Sequence, residues 1–269
     1  MNLKNILLFA LPLIFISCED VVDLEVPKAK QELVIEANAI QYANKASGTL
    51  RVKLSLTNNF YNELTIPVNN ADIILQVNNS ARKVPFKNDG LYSLPISFYE
   101  NTDYELTVNY KEQTYSARTK LFKTVPIDSI QLTERSFSDD NIALNAFFTD
   151  PDTAGDCYLF LTSATNQLNE VSVTDDELFN GNTTAVFYSE ELKPKDTVTF
   201  KIQGISQDYK RFLNILLQQS NSGAGGNPFS SPPSKINGNF VNQDNPEKRA
   251  LGFFSISQEY ELDFIIPNE

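Results

Sequence analysis

Tyr104-Glu105-Leu106-Thr107-Val108-Asn109-Tyr110 sets four large side chains at alternate positions against three polar ones. Successive side chains of a strand point to opposite faces, so Tyr104, Leu106, Val108 and Tyr110 share one face while Glu105, Thr107 and Asn109 meet water. Wound as a helix, the same seven residues would scatter their apolar groups around the axis. Leu50-Arg51-Val52-Lys53-Leu54-Ser55-Leu56 repeats the pattern, and both stretches read as half-buried antiparallel strands. Outward from these two, Leu33 to Ala39, Asp72 to Val77, Gly90 to Phe98 and Thr114 to Thr119 read as further strands. Turn signals such as Asn69-Asn70 and Asn88-Asp89-Gly90 separate them. About seven short strands in about a hundred residues is the pattern of an immunoglobulin-like antiparallel sandwich, placed here over residues 31–125.

Pro126, in Phe122-Lys123-Thr124-Val125-Pro126-Ile127, cannot donate to a strand ladder and forces an extended crossing, so a domain boundary is expected near residue 125. Residues 126–269 then read as a second antiparallel β domain, with strands at Ile130 to Arg135, Ile142 to Phe148, Cys157 to Thr162, Ala185 to Tyr188 and Thr197 to Gln203. After Ser206 the apolar period changes. Tyr209, Phe212, Leu213, Leu216 and Leu217 stand at i, i+3, i+4, i+7 and i+8, predicting one amphipathic helix over residues 206–220 with Ser206 as its cap. Such a helix most simply covers an open sheet face, and a partner surface is the other use of its stripe. Residues 221–250 read as a long loop rich in Gly and Pro. Phe229 and Phe240 are large apolar groups within it, suited to touching a partner or to pinning the loop on its own domain.

The first seventeen residues read as a processing signal. Lys4 is followed by an apolar run from Ile6 to Ile16, too short for a bilayer core that needs about 20 residues. The run ends in Phe15-Ile16-Ser17-Cys18, which resembles the bacterial lipobox, where a small residue before Cys permits cleavage and the thiol is acylated. Cys18 is then the first residue of the mature chain and its lipid the anchor; several acyl chains hold stably where one binds reversibly. Residues 18–30 form an acidic tether beginning Glu19-Asp20, similar to the surface-export signal of Bacteroidetes lipoproteins and equally a solvated spacer. With Cys18 lipidated, Cys157 has no partner within the chain and reads as a small buried hydrophobe.

Among 269 residues there is no His, and the net charge is −12. Lack of imidazole removes Ser-His-Asp and Cys-His catalysis and His-ligated metals, and the negative balance disfavours nucleic acid as a partner. Asp150-Pro151-Asp152-Thr153-Ala154-Gly155-Asp156 offers oxygen ligands to calcium, yet it lacks the spacing and distal Glu of an EF-hand and reads as a strand-to-strand turn. Asp175-Asp176-Glu177 and Glu190-Glu191 supply the carboxylates that a glycosidase pairs as acid and base. No phosphate loop, Cys cluster or cofactor fingerprint is present, so no cofactor, no metal and no catalytic residue is expected.

Three stretches together carry a resemblance: the Cys18-Glu19-Asp20 start with the Leu33-Val34-Ile35-Glu36-Ala37 strand, the Asn227-Pro228-Phe229 loop, and Leu251-Gly252-Phe253-Phe254. They resemble a Bacteroidetes lipoprotein family catalogued as domain of unknown function 4249. Members are commonly encoded beside TonB-dependent outer-membrane receptors, so the resemblance implies an accessory role in uptake. The expectation is a lipid-anchored outer-membrane protein facing the cell surface. It acts as a non-catalytic accessory or ligand-binding subunit with a TonB-dependent transporter, its partner contact at Asn227, Pro228, Phe229 and Phe240. The alternative is a surface hydrolase of glycans or peptides using a carboxylate pair.

Overall fold

The computed structural model describes residues 31–58, 65–133, 141–167, 169–223 and 236–268. Period-two alternation becomes strand nearly everywhere it occurs. The amino-terminal half supplies β1 (Leu33–Tyr42), β2 (Ser47–Leu56), β3 (Ile66–Pro67), β4 (Asp72–Val77), β5 (Ser80–Lys83), β6 (Phe86–Asn88), β7 (Leu91–Ser97), β8 (Tyr104–Tyr110), β9 (Gln113–Thr119) and β10 (Leu121–Phe122). The other half supplies β11 (Ser129–Thr133), β12 (Ile142–Thr149), β13 (Cys157–Ala164), β14 (Glu170–Asp175), β15 (Thr183–Glu190), β16 (Thr197–Gly204), the helix α1 (Gln207–Gly223), β17 (Val241–Asn242) and β18 (Phe254–Ile265). The protein is mainly β, with one helix among the described residues.

Two sheets enclose the first core. One contains β1, β2 and β7 joined antiparallel; the other runs β17-β9-β8-β4-β5. Ile35, Leu50, Val52 and Leu54 from the first meet Ile73, Leu75, Tyr104, Leu106 and Val108 from the second. Tyr104, Leu106 and Val108 are fully buried, as their shared parity requires. The Asn88-Asp89-Gly90 signal makes the β6–β7 turn, with positive φ at both Asp89 (44°) and Gly90 (72°), the pair of conformations a primed hairpin turn needs.

The expected division near residue 125 takes a different form, because β18 belongs to both halves. Its first residues pair in parallel with β1, Ala37 opposite Phe254 through Tyr42 opposite Glu259, and its last pair antiparallel with β16. One continuous sheet, β14-β13-β16-β18-β1-β2-β7-β6, therefore carries both cores, and Gln31–Glu269 forms one compact unit. A single face of β18 feeds each core in turn. Phe254 and Ile256 enter the first, while Tyr260 and Phe264 pack with Phe148, Tyr158, Phe160, Phe200 and Ile202 beneath the β11-β12-β15 sheet. At the seam lies Gln258, 3% exposed, whose Oε1 accepts from the Thr124 N–H (3.0 Å) and whose amide donates to the Ala43 carbonyl (2.9 Å). Residue 125 thus marks a change of core within one body.

The long loop expected over 221–250 is corrected in its described part. Residues 236–250 return to the first sandwich, with β17 pairing β9 and Phe240 wholly buried in the first core. Asn239 locks the return: its side-chain oxygen accepts from the Phe254 N–H (2.8 Å) and its amide donates to the Phe254 carbonyl (2.9 Å). A short polar side chain here completes backbone pairing as a strand neighbour would.

Candidate functional site

Helix α1 starts where the sequence places it, with the Ser206 hydroxyl accepting from the Tyr209 N–H (3.0 Å). It lies on the outer face of the large sheet, over Cys157, Leu159 and Ile205. Lys210 pairs with Asp175 at the end of β14, and that ammonium holds the Asp175 carboxyl below its usual range. Coverage of the apolar stripe is incomplete. Leu213 is buried and Phe212 half-buried, but Leu216 is 44% exposed. The stripe is longer than the surface beneath it.

A groove of about 410 Å³ opens between the helix and the outer face of β1 with residues 251–253 beside it. Tyr209, Phe212, Leu213 and Leu216 form one wall; Val34 of β1 with Leu251 and Phe253 forms the other. Three aromatic rings meet at its base, Tyr209 with Phe253 at 4.7 Å and Phe212 with Phe253 at 5.3 Å between centroids. Gly252 makes this packing possible. It adopts φ +89°, and a Cβ there would lie 2.2 Å from the Ile35 carbonyl oxygen, so only glycine lets residues 251–253 lie this close to β1. The bonds on either side, Ile35 N–H to Leu251 (2.8 Å) and Ala37 N–H to Phe253 (2.9 Å), hold that approach.

Polar groups in the groove are few. Glu36 and Asn38 project from the outer face of β1 beside the apolar walls. Glu36 takes part in no ion pair among the described residues. Lys53, opposite it on β2, turns instead to Asp89, its Nζ 3.1 Å from the carboxylate. Burial raises the pKa of the Tyr209 hydroxyl, the Ser255 hydrogen bond opposes this, and the nearby Glu36 charge adds to it. The volume, the apolar walls and the small number of polar groups are those of a small-ligand site.

The carboxylates noted in the sequence gather elsewhere. Asp150, Asp156 and Asp176 bring oxygens within 4.8 Å of one another, at the turn between β12 and β13. Asp176 accepts from the N–H groups of Gly155 (2.7 Å) and Asp156 (2.9 Å); Asp150 accepts from Gly181 N–H (3.0 Å) and the Tyr158 hydroxyl. These bonds tie the strand ends together as a turn would. Desolvation, then the charges of Asp150 and Asp176, raises the pKa of Asp156. Glu190 faces a different pair of groups: with burial it raises Glu170, and it helps push the buried Tyr188 up to about 12 after desolvation. Asp176 and Glu190 thus belong to separate clusters. Cys157 is buried (3% exposed) with its thiol raised by desolvation, the state of a packing residue.

Of the sites expected from sequence, Cys18, Asn227, Pro228 and Phe229 lie outside the described residues. Phe240, expected at a partner contact or pinned on its own domain, is pinned: none of it is exposed. The groove residues Glu36, Leu251 and Phe253 were not singled out as a site, although Leu251-Gly252-Phe253-Phe254 stood out as a motif. The family model for domain of unknown function 4249 matches residues 19–263, nearly all of the chain.

The chain belongs to that family. The match takes in the groove, the first core, most of the second and the Leu251-Gly252-Phe253-Phe254 segment of this domain of unknown function 4249 member. No curated protein matches the chain. Among solved structures, a chain from a cytokine receptor complex is similar at 10% identity over 66% of this chain and 92% of that one, with a TM-score of 0.27. A red sea bream transglutaminase is similar at 6% identity over 90% of this chain and 32% of that one, with a TM-score of 0.25. At these scores the likeness carries no argument. No described helix is long and apolar enough to cross a membrane.

Proposed function

We propose that the protein is an outer-membrane lipoprotein, anchored through lipid on Cys18 and facing the cell surface, that serves as a non-catalytic binding subunit of a TonB-dependent transporter. The observation that carries the binding part is the groove beside α1, which has apolar and aromatic walls and a single carboxylate. An acid and base pair in a glycosidase flanks the bond it cleaves. Glu36 has no second carboxylate beside it in the groove lining, and Asp176 and Glu190, from the two acidic runs that could supply such a pair, lie in separate clusters. Anchoring is supported by the apolar run ending at Ser17-Cys18 and the acidic residues after it.

Metabolic labelling with palmitate tests the anchor. Cys18→Ser is expected to abolish labelling and to release the chain from membranes; a Cys18→Ser variant that stays labelled and membrane-bound would overturn it. Proteolysis of intact cells is expected to degrade the protein, and complete protection would place it on the periplasmic face. Incubating the purified body with glycans and peptides separates binding from hydrolysis, and turnover abolished by removing a carboxylate would favour a surface hydrolase.

A further inference from the structure

The groove beside α1 has chemistry that narrows what it can take. Its walls are aliphatic and aromatic, so an occupant must bring an apolar body to replace the water there. Glu36 is the charged group in the lining. The cation opposite it in register, Lys53, is held by the Asp89 carboxylate and carbonyl, and Arg51, opposite Asn38 on the same face of β2, forms no ion pair with Glu36, so among the described residues this carboxylate has no ion-pair partner. Asn38, two residues along the same face of β1, adds an amide that can accept or donate. The overall charge of −12 biases the surrounding field toward cations. An anionic head would meet repulsion from Glu36, and a neutral one would leave its charge unused.

We propose that the groove binds small organic cations, molecules whose apolar body packs against Phe212, Leu213 and Phe253 while an ammonium group meets Glu36. This deepens the binding-subunit reading and rests on it. The rim residue Leu216, 44% exposed, is where such a molecule enters, and the aromatic trio gives a protonated amine a second attraction through the ring faces. The uncharged remainder of the ligand supplies most of the affinity, and Glu36 supplies selection by charge.

Three probes sharing one alkyl chain, octylammonium, octan-1-ol and octanoate, test this on the chain lacking its first eighteen residues. Every described element and core lies within Gln31–Glu269, which that chain retains whole. The protein has no Trp, so Leu216→Trp places a single fluorescent reporter on the rim, and calorimetry on the unlabelled protein gives the affinities. Octylammonium is expected to bind about fivefold more tightly than octan-1-ol, the size of one partly exposed ion pair, with octanoate weakest. Glu36→Gln should remove that preference while leaving octan-1-ol unchanged, and adding Asn38→Asp to Glu36→Gln should restore part of it. Raising the salt should shrink the preference. Octanoate binding most tightly, an unchanged order in Glu36→Gln, or no probe altering the Trp emission would each overturn the inference. None of these results would disturb palmitate labelling or recovery with a transporter, which test the lipoprotein reading separately.

Discussion

Phe240→Ala probes the most consequential placement in the carboxy-terminal half. Phe240 has no exposed surface and packs in the first core with residues from β1, β2, β4 and β8, although it follows them by more than a hundred residues. A buried Phe removes about 150–250 Å² from water, at about 25 cal/mol per Å². Truncation keeps the Cβ but leaves a cavity, and buried Phe→Ala changes cost about 3–5 kcal/mol. In a domain of this size each kcal/mol lowers the melting temperature by about 2–4 °C, so a fall of about 6–20 °C is expected. Far-ultraviolet circular dichroism on heating reports it, and urea unfolding should show a lower midpoint at an unchanged slope. Phe212, half-buried on α1, should cost less when changed to Ala, about 1–3 kcal/mol. A Phe240→Ala protein that melts like the wild type would refute the packing and return Phe240 to the role of a partner contact.

The charged groups give two further outcomes. Asp156 is raised by desolvation and by Asp150 and Asp176, so its ionised form costs stability at neutral pH. Asp156→Asn should melt about 1–4 °C higher at pH 7, and the gain should shrink as the pH falls through the raised folded value and vanish below the unfolded value near pH 4, where Asp156 is protonated in both states. The opposite sign holds for Asp175, lowered by its bond to Lys210: its contribution is present above the unfolded value near pH 4 and is lost as the pH falls through the lower folded value. Asp175→Asn should therefore melt lower than wild type at pH 6, with the gap closing under acid, as followed by melting across that pH range.

Strand content was legible because alternation is a local property: Leu50 to Leu56 and Tyr104 to Tyr110 state their buried face within seven residues. The partner of a strand is not local. Nothing in Phe254 to Ile265 announces that its first half pairs with β1 some 217 positions earlier in register, at Ala37, and its second half with β16. For that reason the sequence reading placed a domain boundary at residue 125 where β18 joins two cores. The helix was legible from its stripe and cap, but α1 runs to Gly223, and the stripe exceeded its support: Leu216 shares the period of Leu213 yet stays exposed, on the wall of the groove. Gly252 was visible as a motif, but the reason for it, the approach of residues 251–253 to Ile35, exists only in three dimensions. Glu36 falls at an outward position of the Leu33 to Ala39 strand, but that Lys53 opposite it turns to Asp89 is visible only in three dimensions.

The central claim, that this chain is a lipid-anchored subunit of a surface transporter, is tested most directly by recovering the native protein from mild-detergent extracts of its own outer membranes and identifying what comes with it. The account predicts a TonB-dependent receptor in stoichiometric amount, retained with the wild-type chain. Recovery of the protein alone, from a membrane that contains such receptors, would contradict it.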